Sequence, residues 1–502
     1  MQNHLNKTII VMMVTCGITF FSTSCNKDAL LNKTPVTALD NTKALVTETE
    51  YTALTNAAYT PIHWQVGNYT TFPVMFQDIR ADNCVSQWAS YWVPGAVYDN
   101  FPIPPNDPSN AGNWQKWYTV ISRANTAINF VSSFKGFTTP GLQQRLIAEA
   151  GFLRAFAYFE LVRNWGGVPL ITKYIGSTTD QIIYPRSSPA QIYAQIQSDA
   201  TAAAAVLPQS YSGADLGRAT QGAAYTLLAK VNLYLKNYSA TVGYCQKVMG
   251  LGYTLEPNFA DNWNLNNEYG KESILEIGYA SGYTTDGDNN KGSWSYEFFG
   301  FLGVPNCFGN LVPRQGLIDM YDSADKRKDA TFIIPGTYLS DLGKYANFET
   351  DIYQYFWTVP AALQSKASAR KYYIPVQVAQ TLPTVVSSPL NEKIYRYADV
   401  LLMLAEASVN GGGGNGQSAL DQIRTRAGLA TIPLTLQNVK DERRRELATE
   451  GWDRFSDLVR WGDAANALAF KNFKAGRDEL LPIPQAEIDL AGKADLPQNP
   501  GY

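Results

Sequence analysis

The sequence predicts a mostly α-helical fold in which tightly joined helical pairs stack into a solenoid-like scaffold. That scaffold carries an irregular, loop-rich insertion containing short strands. Three observations predict it. Apolar residues recur every three or four positions over much of the chain. Two such stripes are separated only by the turn at Asn237 and Tyr238. Between about 255 and 390 the helical period gives way to Gly, Tyr, Asn, Asp and Pro.

Taken in order, the chain opens with Lys7, an apolar run from Ile9 to Phe21, the small residues Ser22, Thr23 and Ser24, and then Cys25. A positive start, a hydrophobic core and a small-residue exit are the layout of an export signal. The run is too short for a membrane span, which takes about 20 apolar residues. Residues 1–24 are expected to be the signal of a bacterial lipoprotein, cut before Cys25, which is then acylated; Ser22 stands where leucine is usual. Cys16 is a weaker acyl site because it lies inside the apolar core. Residues 25–41 are polar and read as a lipidated tether.

Helical stretches follow at about 43–60 and 114–134. Leu146, Ala150, Leu153, Ala157 and Leu161 then form one apolar stripe, which Gly166 and Gly167 stop. After a helix at 189–206, a stripe through Ala224, Leu228, Val231 and Leu235 turns at Asn237-Tyr238 into another helix ending near Met249. Small Ala229 in the first helix and Tyr238 at the turn make this pair resemble a tetratricopeptide unit. Such pairs cannot bury their apolar faces alone, so they stack. Residues 42–250 are read as an N-terminal helical region and 251–502 as a C-terminal region, together one compact structural unit.

The insertion at 255–390 is too long for a plain loop and holds strand-like pieces at 273–279 and 371–375. Helices resume at 394–409, 417–427, 436–449 and 452–462. Gly411 to Gly414, Asn415 and Gly416 lack the Lys-Ser/Thr of a phosphate-binding loop and read as a flexible linker. Glu442, Glu446 and Glu450 lie four apart on one predicted helix, with Arg443, Arg444 and Arg445 among them. That spacing predicts ion pairs along a helix face, each worth a few tenths of a kcal/mol, and a scaffold role. The proline-punctuated C-terminus is expected to wrap back onto the helices.

Composition excludes several functions. The 502 residues carry 41 Lys and Arg against 44 Asp and Glu, for a net charge of −3, so no basic surplus attracts nucleic acid. Once Cys16 leaves with the signal and Cys25 is acylated, Cys84, Cys245 and Cys307 remain, without metal spacing, as small buried hydrophobes. His63 is the only histidine past the signal, so a His-rich zinc site cannot be built; it reads as a loop residue with no special role. Asp286 to Gly292 with Glu297 nearly matches a calcium loop, but Lys291 replaces the turn glycine and flanking helices are missing. No metal or cofactor is expected.

Aromatic residues make up 13% of the chain, and several sit on loops rich in Gly, Asn and Asp. Sugar rings present apolar C–H faces and polar edges, so a sugar site combines aromatic platforms with amide, carboxylate or guanidinium groups. Two segments meet that description. In the first, Trp88, Tyr91 and Trp92 cluster beside Arg80, Asp82, Asn83 and Gln87. In the second, Tyr283, Trp294, Tyr296, Phe298 and Phe299 lie near Asp286, Asp288 and Asn289. Trp88 and Trp294 are the leading ligand platforms, with Tyr91, Trp92, Asp82, Asn83, Tyr283 and Tyr296 as further candidates.

Six motifs in order resemble the SusD/RagB family, nutrient-binding surface lipoproteins of Bacteroidetes. The first is Trp114-Gln115-Lys116-Trp117-Tyr118 with Arg123-Ala124-Asn125-Thr126. The second runs from Ala148-Glu149-Ala150 through Leu153-Arg154-Ala155 to Trp165-Gly166-Gly167-Val168-Pro169-Leu170. Gly217-Arg218-Ala219-Thr220 is the third, and the stretch from Arg396-Tyr397-Ala398-Asp399 to Ala405-Glu406-Ala407 the fourth. Glu442 to Leu447 with Glu450-Gly451 and Asp457 to Gly462 is the fifth; Leu481-Pro482-Ile483-Pro484 with Gln498-Asn499-Pro500-Gly501-Tyr502 completes the set.

The resemblance implies a cell-surface protein of the outer membrane that needs no catalytic group. It would bind an oligosaccharide, or in some branches a peptide, and deliver it as a lid to a SusC-type TonB-dependent transporter. It also implies that the two aromatic loops supply the ligand platform. A surface glycoside hydrolase is the competing class, since it too would show aromatic loops and a lipid anchor. Carboxylates are plentiful enough for its acid–base pair, but no spacing identifies one.

Overall fold

The computed structural model describes residues 45–63, 73–86, 93–176, 184–280, 292–300, 307, 309–334, 365, 367–379, 381 and 388–502. Residues 45–50 group with the preceding chain, and 51–502 form a second unit. Within the first, the Val46 and Thr47 amides each donate to Glu50 Oε2 at 2.8 Å. The signal, the tether and Cys25 lie outside the described residues.

Local chemistry sets the helix bounds. α1 covers Glu48–Tyr59 and runs into a 3₁₀ turn, Thr60–Ile62. α2 spans Pro108–Ser133, starting six residues before its apolar stripe suggests. Asp107 caps it by accepting the Asn110 amide at 2.7 Å, and Pro108 fits the first helical position, where no N–H is needed. α3, Leu142–Trp165, ends at Gly166, whose φ of 75° suits glycine. α4, Pro189–Val206, begins with a capping box between Ser188 and Gln191. α5, Gln221–Tyr234, and α6, Tyr238–Met249, form the predicted tight pair.

Helices α2 to α6 pack each against the next, building the stacked layer. α7, Tyr397–Ala407, packs on α6, and α8, Gly416–Arg426, on α7. α9 is Leu436–Glu446 and α10 is Arg454–Trp461. One apolar cluster, including Trp117, Phe152, Phe156, Leu227 and Leu401, runs through the layer. Cys84, Cys245 and Cys307 are free and buried. The C-terminus does fold back: Asn499 Nδ2 donates to the carbonyls of Trp165 at 3.0 Å and Leu481 at 2.6 Å.

Short strands staple distant parts of the insertion. β1 (Cys84–Ser86) pairs antiparallel with β3 (Leu311–Pro313), and β4 (Phe332–Ile333) with β5 (Ser368–Ala369). β2 (Ser273–Ile277) pairs antiparallel with β6 (Glu392–Arg396). The first strand-like prediction therefore holds as β2. The second does not: Arg370–Tyr372 is a 3₁₀ turn, and the strand lies just before it. The helix predicted from 394 begins only at Tyr397, because residues 392–396 pair with β2 instead.

Two other expectations are revised. The glycine run links α7 to α8 through a kink, with non-helical backbone at Asn410 and Gly411, and it packs closely: a Cβ on Gly412 would sit 2.7 Å from the Tyr238 backbone. Glycine there lets α6 approach. The glutamate triplet is not on one helix face. α9 stops at Glu446, Thr449 and Gly451 take positive φ, and Glu450 lies beyond the helix.

Those glutamates enter a buried ion network. Glu446 meets Arg327 at 3.1 Å, Arg396 at 3.0 Å and Arg426 at 2.5 Å. Glu442 meets Arg327 at 2.6 Å and Arg424 at 2.8 Å, and Glu450 meets Arg396 at 2.6 Å and Lys371 at 2.7 Å. Arg443 binds Asp399, Asp453 at 3.0 Å and Asp457 at 2.6 Å. These are buried cross-links between elements, so the surface-pair magnitude does not apply.

Candidate functional site

The first predicted loop is held from below by charge. Asp82 receives a two-pronged pair from Arg454 at 2.7 and 2.8 Å and meets Arg444 at 3.1 Å. Burial raises its pKa, but Arg454 and then Arg444 outweigh that and bring it down to about 2. Asn83 donates to Asp78 Oδ1 at 2.8 Å and accepts from Arg444 Nε at 2.9 Å. Asp82 and Asn83 are buried, with these groups engaged inside the protein, so they support the segment that follows. Trp88, Tyr91 and Trp92 of that segment lie outside the described residues.

The second segment is tied to β6. Ser293 donates from its amide to the Ser388 carbonyl at 2.8 Å and from its hydroxyl to Glu392 at 3.2 Å, and Ser295 also donates to Glu392. Tyr296 is buried, a packing position, whereas Trp294 is only partly buried and packs against the main core. Tyr283, Asp286, Asp288 and Asn289 lie outside the described residues.

A cavity of about 480 Å³ opens where α1 and β2 end. That is room for a small ligand. Phe152, Leu153 and Phe156 of α3 and Ile394 of β6 make its apolar wall. Tyr59, His63, Tyr269 and Tyr279 bring further rings, with the His63 and Tyr279 centroids 5.4 Å apart. His63, in a loop as the sequence predicts, is one of the lining residues. Burial, aided by the Lys116 charge, lowers its pKa to about 4, so it is neutral at pH 7. His63 and Ala280 line the cavity and directly precede residues 64–72 and 281–291.

Behind the rings the charges are balanced. Arg218 donates to Glu149 Oε2 at 3.0 Å and Asn56 Oδ1 at 2.8 Å, and it meets Asp215 at 2.5 Å. The Tyr59 hydroxyl donates to Glu149 Oε2 and accepts the Ala219 amide, both at 3.0 Å. Burial raises the Glu149 pKa in spite of Arg218. Glu276 meets Lys393 at 2.6 Å and accepts from the Asn391 side chain at 2.9 Å. Neutral donors and aromatic faces, with charge already paired, suit an uncharged polar ligand.

Tyr269 is held against its backbone preference. Its φ of 55° costs a non-glycine residue about 1–3 kcal/mol. Its ring is wedged between two glycines: a Cβ on Gly217 would lie 3.0 Å from its hydroxyl, and one on Gly278 would overlap it. Gly217 and Arg218 belong to the third sequence motif, and Tyr269 belongs to none. Glycines flanking such rings give no periodic signal. Among the described residues, no group of three or more His, Cys, Asp and Glu could hold a metal, and no helix is long and apolar enough to cross a membrane.

Comparison with known proteins bears on this geometry. Residues 271–502 match the model of the SusD family, and residues 29–233 match a model described as starch-binding, associating with outer membrane. A SusD-like protein of Bacteroides ovatus is 28% identical over 409 residues, covering 76% of this chain and 70% of its own length. A SusD-like protein of Formosa agariphila is also 28% identical, covering 80% of this chain and 82% of its own. Among solved structures, a laminarin-binding SusD-like protein superposes with a TM-score of 0.77 at 29% identity, covering 90% of this chain and 99% of that one. Surface glycan-binding protein A from Bacteroides thetaiotaomicron, in complex with laminarihexaose, gives 0.79 at 25% identity, with 90% and 100% coverage.

Proposed function

The chain belongs to the SusD family, and from that premise we propose that it is a non-catalytic binding protein that captures oligosaccharides at the bacterial surface. The observation that carries this reading is the match along 90% of the chain with a surface glycan-binding protein holding laminarihexaose. The ring-lined, charge-balanced cavity supports it, because sugar faces stack on such rings while hydroxyls reach the polar rim. The glycan is of the laminarin type, a neutral glucan. Trp88 and Trp294 serve as platforms for its chain, with Tyr91, Trp92 and Tyr283 as further contacts. Asp82, Asn83 and Tyr296 support the loops.

The protein is anchored through acylated Cys25 in the outer membrane, in keeping with a matched model described as outer-membrane associating. It acts as a lid on a SusC-type TonB-dependent transporter, whose energy source does the work of import, so this chain needs no catalytic group.

The test uses a soluble form beginning at Asn26. Native gels cast with laminarin and other plant, host and microbial polysaccharides should retard it with laminarin. Calorimetry with laminarihexaose should release heat. Retardation by no glycan, with heat on adding a peptide mixture, would place the protein in the peptide-binding branch. Release of reducing sugar would make it a hydrolase. Fractionation of cells carrying Cys25→Ala should move the protein out of the outer membrane, and the intact protein should co-purify with a barrel transporter.

A further inference from the structure

Beside the ring-lined cavity lies a second one of about 280 Å³, walled in part by Tyr211 and Tyr253. The two chambers share one partition, built from the Leu216–Arg218 turn, Tyr269 and the Leu275–Glu276 edge of β2. Two features of that partition need an explanation that packing does not supply. Leu216 is a large apolar side chain left 47% exposed. Tyr269 holds a strained positive φ, and Gly217 and Gly278 leave room for its ring. On the far side, the Tyr211 hydroxyl is buried yet has no hydrogen-bond partner among the described residues.

We propose that Leu216 and Tyr269 form a ridge across which a neutral glucan chain lies, one sugar resting on the ridge and its neighbours entering the two chambers. The inference rests on the glycan-binding reading above and adds where the chain runs and how long it must be. An exposed leucine beside an aromatic ring offers the apolar surface that a sugar's C–H face covers. The Tyr211 ring adds an aromatic wall in the second chamber. The two charged side chains of the partition are paired, Arg218 with Glu149 at 3.0 Å and Glu276 with Lys393 at 2.6 Å. The partition itself thus offers no unpaired charge among the described residues, and the exposed Lys271 lines the second chamber. A ligand too short to cross the ridge occupies one chamber and forgoes the other.

The experiment is calorimetry of the mature protein with the laminarin series from laminaribiose to laminarihexaose. Affinity should rise about tenfold once the chain spans both chambers, a step equivalent to about 1.4 kcal/mol. Leu216→Asp, at an exposed site, should erase that step. Tyr269→Gly should do the same while folding normally, because glycine adopts positive φ without strain. Tyr269→Phe, which keeps the ring, should keep the step. An unaltered length profile in both Leu216→Asp and Tyr269→Gly overturns the ridge. So does an affinity that does not vary with length. In both cases, retardation by laminarin in gels leaves the glycan-binding reading standing. Silence of the wild type towards the whole series and towards every gel overturns both.

Discussion

Two regions of this molecule spend charge in opposite ways. Around α7, α9 and α10, buried cations and carboxylates face one another and leave a void of only about 20 Å³. Around α1, α3 and β2, the charges stand behind rings and glycines and leave about 480 Å³ open. The carboxylates titrate according to their immediate partners. Burial raises Glu446 and Asp453, but three cationic partners each overcome it and hold both well below the carboxylate range. Glu149 behind the cavity meets two arginines, one at 3.5 Å, and burial wins. Glu160, beside the network but paired only with Arg163, is raised too. The balance of partner charge and hydrogen bonds against desolvation decides the sign. Charge in this protein builds the frame, and neutral surface is left for recognition.

The comparison breaks most visibly if the network is not essential. Arg443→Ala removes a cation shared by Asp399, Asp453 and Asp457. Stranding buried carboxylates in this way should cost about 3–5 kcal/mol. Urea melts should show it, and the protein that stays folded should bind laminarihexaose as the wild type does. A loss below about 1 kcal/mol would mean that the network is ordinary surface pairing. Next in size, Trp294→Ala and Trp88→Ala should each weaken laminarihexaose binding about tenfold, or about 1.4 kcal/mol. Both variants should remain folded at the assay temperature. Unchanged affinity in both variants would remove these rings from the site.

Acid sharpens the contrast. Asp82 is depressed from 3.8 to about 2, and Glu446 and Asp453 are depressed further. A carboxylate whose folded pKa lies below its unfolded value contributes stability above the unfolded pKa and loses it as pH falls. Urea stability should therefore drop steeply from about pH 4 towards pH 2. A flat profile over that window would show that these ion pairs do not couple to folding.

What the sequence made legible follows from how local each signal is. The stripe from Leu146 to Leu161 lies within one helix, and α3 formed around it. Residues 394–396 read as helix because they run into Tyr397 and Ala398, yet they belong to β6, whose partner strand lies more than a hundred residues earlier. The spacing of Glu442, Glu446 and Glu450 was visible, but not that Arg327, Arg396 and Arg426 would converge on Glu446. The cavity was hidden for the same reason. His63 meets Tyr279, and Tyr269 meets Gly217, across spans of sequence that no periodic pattern covers. The aromatic loops were legible as composition, which names a kind of surface without placing its members.

The smallest expected effect lies at the edge of the cavity. Glu268 Oε1 accepts the Asn391 amide at 2.7 Å, and the Asn391 side chain in turn holds Glu276 and the Tyr279 amide. Burial lifts the Glu268 pKa from 4.5 to about 7, while the Asn391 amide and Lys393 hold it down and Glu276 adds to the rise. Here the sign reverses relative to the network. The folded protein binds the proton more tightly than the unfolded chain, so stability falls as pH rises from about 4.5 to 7. Glu268→Gln keeps an acceptor for Asn391 and removes the titration. The difference in urea stability between wild type and variant should therefore slope downward over that window and level off above it. Because the carboxylate is partly exposed, solvent screening keeps the slope shallow. A difference curve that rises with pH would place Glu268 with the depressed carboxylates of the network and erase the line between the two regions.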